Sequence, residues 1–66
     1  MENTALRMAI GQRYNKESDL ARDLGWTRQK LSKTILGQRN PKISDINALS
    51  KALGLPVGEI ISFFVQ

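Results

Sequence analysis

No cysteine and no histidine occur among the 66 residues of this chain. Those two absences exclude a disulfide framework, a zinc site built on Cys or His, and any pairing of a nucleophile with histidine. Long apolar runs are missing as well, and no stretch approaches the ~20 residues a helix needs to cross a bilayer. The opening Met1-Glu2-Asn3-Thr4 lacks the basic start and apolar run of a signal peptide. Acids are few. The six carboxylates (Glu2, Glu17, Asp19, Asp23, Asp45 and Glu59) are scattered, and they offer no acid–base or metal-binding constellation. These absences predict a soluble protein of the cytoplasm that is not an enzyme and holds no metal or cofactor.

What is present is basic, and it is concentrated. The formal charge is +4, but no acid lies between Asp23 and Asp45, where Arg28, Lys30, Lys33, Arg39 and Lys42 all fall. A local excess of one sign is the electrostatic footprint of a polyanion partner. The alternative is a solvated face that merely keeps the protein soluble. A chain of 66 residues allows one domain (1–66) with one small core. It leaves no room for a second, ligand-sensing domain, so no small-molecule ligand is expected.

The basic window coincides with the stretch around which the chain is organised, Leu20 to Pro41. An apolar pattern of helical spacing stops at Gly25 and restarts at Thr27, whose hydroxyl can cap a helix. Two helices joined by so short a turn form a helix-turn-helix. The second opens with the long donors Arg28, Gln29 and Lys30, and Gln29 can both donate to and accept from a base edge. At about 100° per residue, Leu31 and Ile35 face inward and Gln29, Ser32 and Lys33 face outward. Arg28 stands at the outer edge, and Lys30 points to the flank nearer a DNA backbone. Trp26, in the turn, is expected to plug the space between the two helices in preference to lying on a sugar.

The remaining elements follow from the same signals. A first helix starting near Asn3 or Thr4 carries Leu6, Ile10 and Tyr14 inward, and Gly11 either permits a close crossing or ends it. A second begins after Asn15 or Lys16, has Glu17 and Asp19 in its first turn and stops at Gly25. Gly37 ends the third, and Gln38-Arg39-Asn40-Pro41 forms a loop of donors closed by a helix breaker. Ser44-Asp45 starts a fourth, with Ile46, Leu49 and Leu53 inward and Gly54 as its stop. Pro56 suits the start of a fifth, whose apolar side holds Val57, Ile60, Ile61 and Phe64. Phe63 and Val65 add more apolar surface than one stripe needs. The fold class expected is all-α, five short helices in one compact domain.

The ordered set Leu20-Ala21, Gly25, Thr27, Leu31-Ser32, Gly37 and Arg39-Asn40-Pro41, followed by Leu49-Ser50-Lys51-Ala52-Leu53-Gly54-Leu55, resembles the lambda-repressor-like, or Cro/CI (XRE-type), DNA-binding family. No gap is needed from Leu20 to Leu55. The resemblance implies that Arg28, Gln29 and Lys33 read bases in the major groove, with Ser32 between them on base or phosphate. It places Lys16, Thr27, Arg39 and Asn40 on phosphates, where Lys30 joins them by its position on the helix flank. Such backbone contacts set register without specifying sequence. Family members often pair an arginine on the first helix with a glutamate late in the recognition helix; those positions here are Ile10 and Ile35. An apolar contact is expected in place of the ion pair.

The function implied is sequence-specific binding of a double-stranded DNA operator by a small phage or bacterial transcriptional regulator. It would act as a repressor on a palindromic site, in the bacterial cytoplasm or nucleoid. A homodimer is expected, with the apolar Phe63 and Phe64 near the end of the chain as the contact. An antitoxin-like module that uses the same fold to mask a protein partner is the alternative.

Overall fold

Asn3 opens the first helix: its side-chain oxygen accepts the Leu6 N–H at 3.0 Å, satisfying a backbone donor the helix leaves unpaired. The computed structural model describes residues 2–65; Met1 and Gln66, the ends of the expected 1–66 domain, lie outside them. Five helices follow in order: α1 (Thr4–Gly11), α2 (Glu17–Leu24), α3 (Arg28–Ile35), α4 (Ile43–Leu53) and α5 (Val57–Phe64). Among the described residues there is no strand, and the all-α expectation holds.

Gly11 ends α1, and the space beside its Cα is open, so it serves no close crossing. Tyr14 therefore lies beyond the helix that was expected to carry it, although it still packs against the core. The start of α4 is also corrected. Ser44 is not its cap; the helix begins at Ile43, and the Asp45 carboxylate reaches back to accept the Lys42 N–H at 3.0 Å. An acid at the third helical position can cap a helix in this way whatever residue precedes it.

One core unites the helices. Leu6 and Ile10 of α1, Leu20 and Ala21 of α2, Leu31 and Ile35 of α3, Leu49 and Leu53 of α4, and Ile60 of α5 are all buried in it. α4 packs on α2 and α5, while α3 packs on α1 and α2. The N-terminal strap is tied down by backbone and side chain together: Asn3 N–H donates to the Ile35 carbonyl at 2.6 Å and its amide to the Phe63 carbonyl at 2.8 Å.

Two left-handed glycines flank α3, the second helix of the helix-turn-helix. Gly25 (φ 72°) closes α2, with the Trp26 N–H returning to the Ala21 carbonyl at 2.9 Å. Gly37 (φ 77°) follows α3, and the Gln38 N–H returns to the Lys33 carbonyl at 2.9 Å. This six-to-one closure needs a positive φ, which a side chain makes costly. It turns the chain sharply at both ends of α3 and sets that helix forward.

The apolar side of α5 divides differently from the expected stripe. Ile60 is buried and Phe63 and Phe64 are half-buried against the core, whereas Val57 (39% exposed), Ile61 (42%) and Val65 (65%) face outward. The phenylalanines are drawn in because the fifth helix ends beside α1, which leaves the β-branched residues as its outer surface.

Candidate nucleic-acid interface

Thr27 sets where α3 begins, since its Oγ1 accepts the Lys30 N–H at 3.0 Å. Arg28, Gln29, Ser32 and Lys33 then follow on the exposed side of the helix, away from buried Leu31 and Ile35. A cleft lined by Glu17, Ser18, Arg28, Gln29, Leu31 and Ser32 separates the first turns of α2 and α3. The sequence singled out Glu17 only for its place at the positive end of α2. It also lies beside the side chains at the tip of α3, with the Arg7 guanidinium 3.9 Å away. Lys16, at the foot of α2, and Asn40, in the loop after α3, are both exposed. Among the described residues no ion pair involves Lys16, Arg28 or Lys33, so their charges are not neutralised within the chain.

Lys30 and Arg39 are placed differently from the rest of the basic window. Both turn to Asp45, which is only 5% exposed. Arg39 Nη2 donates to Asp45 Oδ2 at 2.9 Å, and Lys30 Nζ lies 3.4 Å from Oδ1. The other end of the Arg39 fork donates to Thr34 Oγ1 at 2.9 Å, and that hydroxyl donates in turn to the Lys30 carbonyl at 2.9 Å. The Trp26 ring completes the cluster, with Lys30 Nζ 4.5 Å and Arg39 Cζ 5.9 Å from its centre. Trp26 is half-buried against the core as expected, and its exposed face attracts cations through the negative face of the indole. Neither Thr34 nor Asp45 stands out in the sequence as part of this surface. The signal available was an acid at the third position of a helix, within reach of the preceding basic loop.

Burial by itself would raise the Asp45 carboxyl, but hydrogen bonds from the Lys42 N–H, Arg39 and Lys30, with the charge of Lys30, outweigh it and hold the pKa below the ordinary aspartate value. A carboxylate with a depressed pKa adds stability above its unfolded-state value, about pH 4, and loses it as pH falls through the folded one. The difference in thermal midpoint between the wild-type chain and Asp45→Asn should therefore shrink between about pH 5 and pH 2. A difference that stayed constant over that range would show that the Asp45 charge does not support the fold.

Elsewhere on the molecule the Tyr14 hydroxyl donates to Asp23 Oδ2 at 2.8 Å. That hydrogen bond, followed by burial and the carboxylate's charge, raises the tyrosine pKa. Among the described residues no group of three or more acids could hold a metal ion, and no helix is long and apolar enough to cross a membrane.

The profile of a family described as the Cro/C1-type helix-turn-helix DNA-binding domain matches residues 5–66, which takes in all five helices but the first residue of α1. No curated protein and no solved structure matches the chain.

Proposed function

Since the chain belongs to the Cro/C1-type helix-turn-helix DNA-binding family, we propose that it is a small transcriptional regulator that represses by occupying a palindromic operator as a homodimer. The observation that carries this reading is the outer face of α3. There Arg28, Gln29, Ser32 and Lys33 stand exposed in a row, with the two cations free of internal ion pairs among the described residues. Long donors projecting from one helix suit the major groove, which displays a distinct pattern of acceptors and donors for each base pair. Lys16, Thr27 and Asn40 border this face at its ends and would meet phosphates, fixing the register of α3. Lys30 and Arg39 contribute less to that contact than their charge implies, because Asp45 already engages both. On this reading the protein acts in the bacterial cytoplasm or nucleoid.

The homodimer reading draws on α5. Val57 and Ile61, four residues apart on α5, form a short exposed apolar stripe, with exposed Val65 just beyond the helix end, and the half-buried Phe63 and Phe64 lie beside them in sequence. A second copy on this stripe would set two recognition helices about 34 Å apart, one turn of DNA.

Selection of duplexes from a random library, at stated salt, tests the whole reading. The expected product is an enriched palindrome bound by two chains. Ile61→Asp, at a half-exposed position outside the buried core, should abolish cooperative filling of the two half-sites, leaving a single chain on one half-site at concentrations where the wild-type pair fills both. It is a cleaner probe than truncation at Phe63, whose carbonyl ties down Asn3. Enrichment of no sequence would overturn sequence-specific regulation. An asymmetric site bound by a single chain would overturn the dimer alone, leaving the α5 stripe to a different protein, as in an antitoxin.

A further inference from the structure

Taking DNA readout by α3 as given, we propose that Asp45 is a positioning residue for that readout: it holds Lys30 and Arg39 away from free phosphate contact, which lowers affinity for random DNA and sharpens discrimination between sequences.

The geometry joins three parts of the chain through one carboxylate. Asp45 Oδ2 receives both Arg39 of the loop, at 2.9 Å, and the Lys42 N–H at the start of α4, at 3.0 Å. Oδ1 faces Lys30 of the recognition helix at 3.4 Å. Arg39 is then fixed at its second nitrogen by Thr34 of α3, and both cations lie against Trp26 of the turn. The loop that follows α3 is thus fastened back onto α3. With one N–H of each Nη engaged and its side chain only 24% exposed, Arg39 would have to turn away from Thr34 and Asp45 to present its full fork to a phosphate.

The electrostatic consequence follows from how non-specific binding works. Each cation that neutralises a phosphate releases a counterion and adds about 0.9 to the salt slope. Cations that swing freely do this on any sequence. Lys30 and Arg39, held by a common acid, make the basic window less adhesive, so a larger share of the binding depends on Arg28, Gln29 and Lys33. A contribution to stability does not by itself account for the arrangement, since a buried ion pair is often no more stabilising than apolar packing of the same volume.

The test compares the wild-type chain, Asp45→Asn and Arg39→Gln, on the selected operator and on a random duplex over a series of KCl concentrations. Emission from Trp26, the one tryptophan, reports on the cations against its ring. Asp45→Asn should bind random DNA more tightly, by about eightfold at 0.1 M salt for each released cation that meets a phosphate. Its slope should steepen by about one to two per chain, its operator-to-random ratio should fall, and its tryptophan emission should shift. Arg39→Gln should shift the emission but keep the wild-type slope on random DNA. Unchanged or weaker random binding by folded Asp45→Asn would overturn the proposal. If that variant does not fold, Arg39→Gln decides alone: a slope reduced by about one places Arg39 on a phosphate and overturns the proposal, and an unchanged slope supports it. A wild-type chain with no preferred duplex would defeat sequence-specific readout, whereas the slopes on random DNA would still judge the role of Asp45.

Discussion

Ile35→Glu is expected to destabilise the domain by about 3–5 kcal/mol, the range for leaving a charge buried without its partner. A 66-residue chain has a total stability on the order of 3–10 kcal/mol, so much of the population should unfold at room temperature. Ile35 is 1% exposed and Ile10 is 2% exposed, in one core shared by α1 and α3. A carboxylate placed there loses most of its hydration, and buried Ile10 offers it no counter-charge. Members of the resembling family often place an arginine and a glutamate at these two positions, which implies that the backbone can bring such side chains together. Adding Ile10→Arg should therefore recover part of the loss, with a coupling of about 1–3 kcal/mol in a double-mutant cycle. Denaturant midpoints of the four proteins measure it. Zero coupling would show that the two positions do not meet.

The second large effect falls on binding. Arg28→Ala, Gln29→Ala or Lys33→Ala should each weaken the preferred duplex by about 1–3 kcal/mol and random DNA much less. Arginine or lysine suits the acceptors of guanine, and glutamine matches the donor and acceptor of adenine. These side chains are exposed on α3, so truncation should leave the melting temperature nearly unchanged and separate readout from folding. Lys16→Ala provides the contrast. A phosphate contact carries no base information, so its loss should weaken both duplexes alike and reduce the salt slope by about one per chain. If Gln29→Ala and Lys16→Ala lower affinity for every duplex equally, the outer face of α3 is a non-specific patch and reads no sequence.

The helices were legible in the residues because their causes are local. Thr27 caps α3 through a hydroxyl three residues from its partner, and Gly25 and Gly37 turn the chain where a side chain would resist the positive φ. Spacing of three and four between apolar residues places Leu6, Ile10, Leu31, Ile35, Leu49 and Leu53 inward, and all six are buried. The exposed face of α3 followed from the same periodicity. What the sequence did not display was long-range or depended on reach. Arg39 and Lys30 look like free cations in the sequence, since Asp45 is six and fifteen residues away and belongs to the next helix. A long flexible side chain chooses its partner from whatever the fold brings near, and only packing α4 against the rest delivers that acid. Phe63 and Phe64 suggest a dimer contact because they lie near the end of the chain, yet both are half-buried against the core, while Val57 and Ile61 of α5 and Val65 beyond it are exposed. Local chemistry determined where each helix begins, ends and turns its apolar side. The tertiary arrangement decided which charges remain free to meet DNA, because pairing between side chains depends on distance in space.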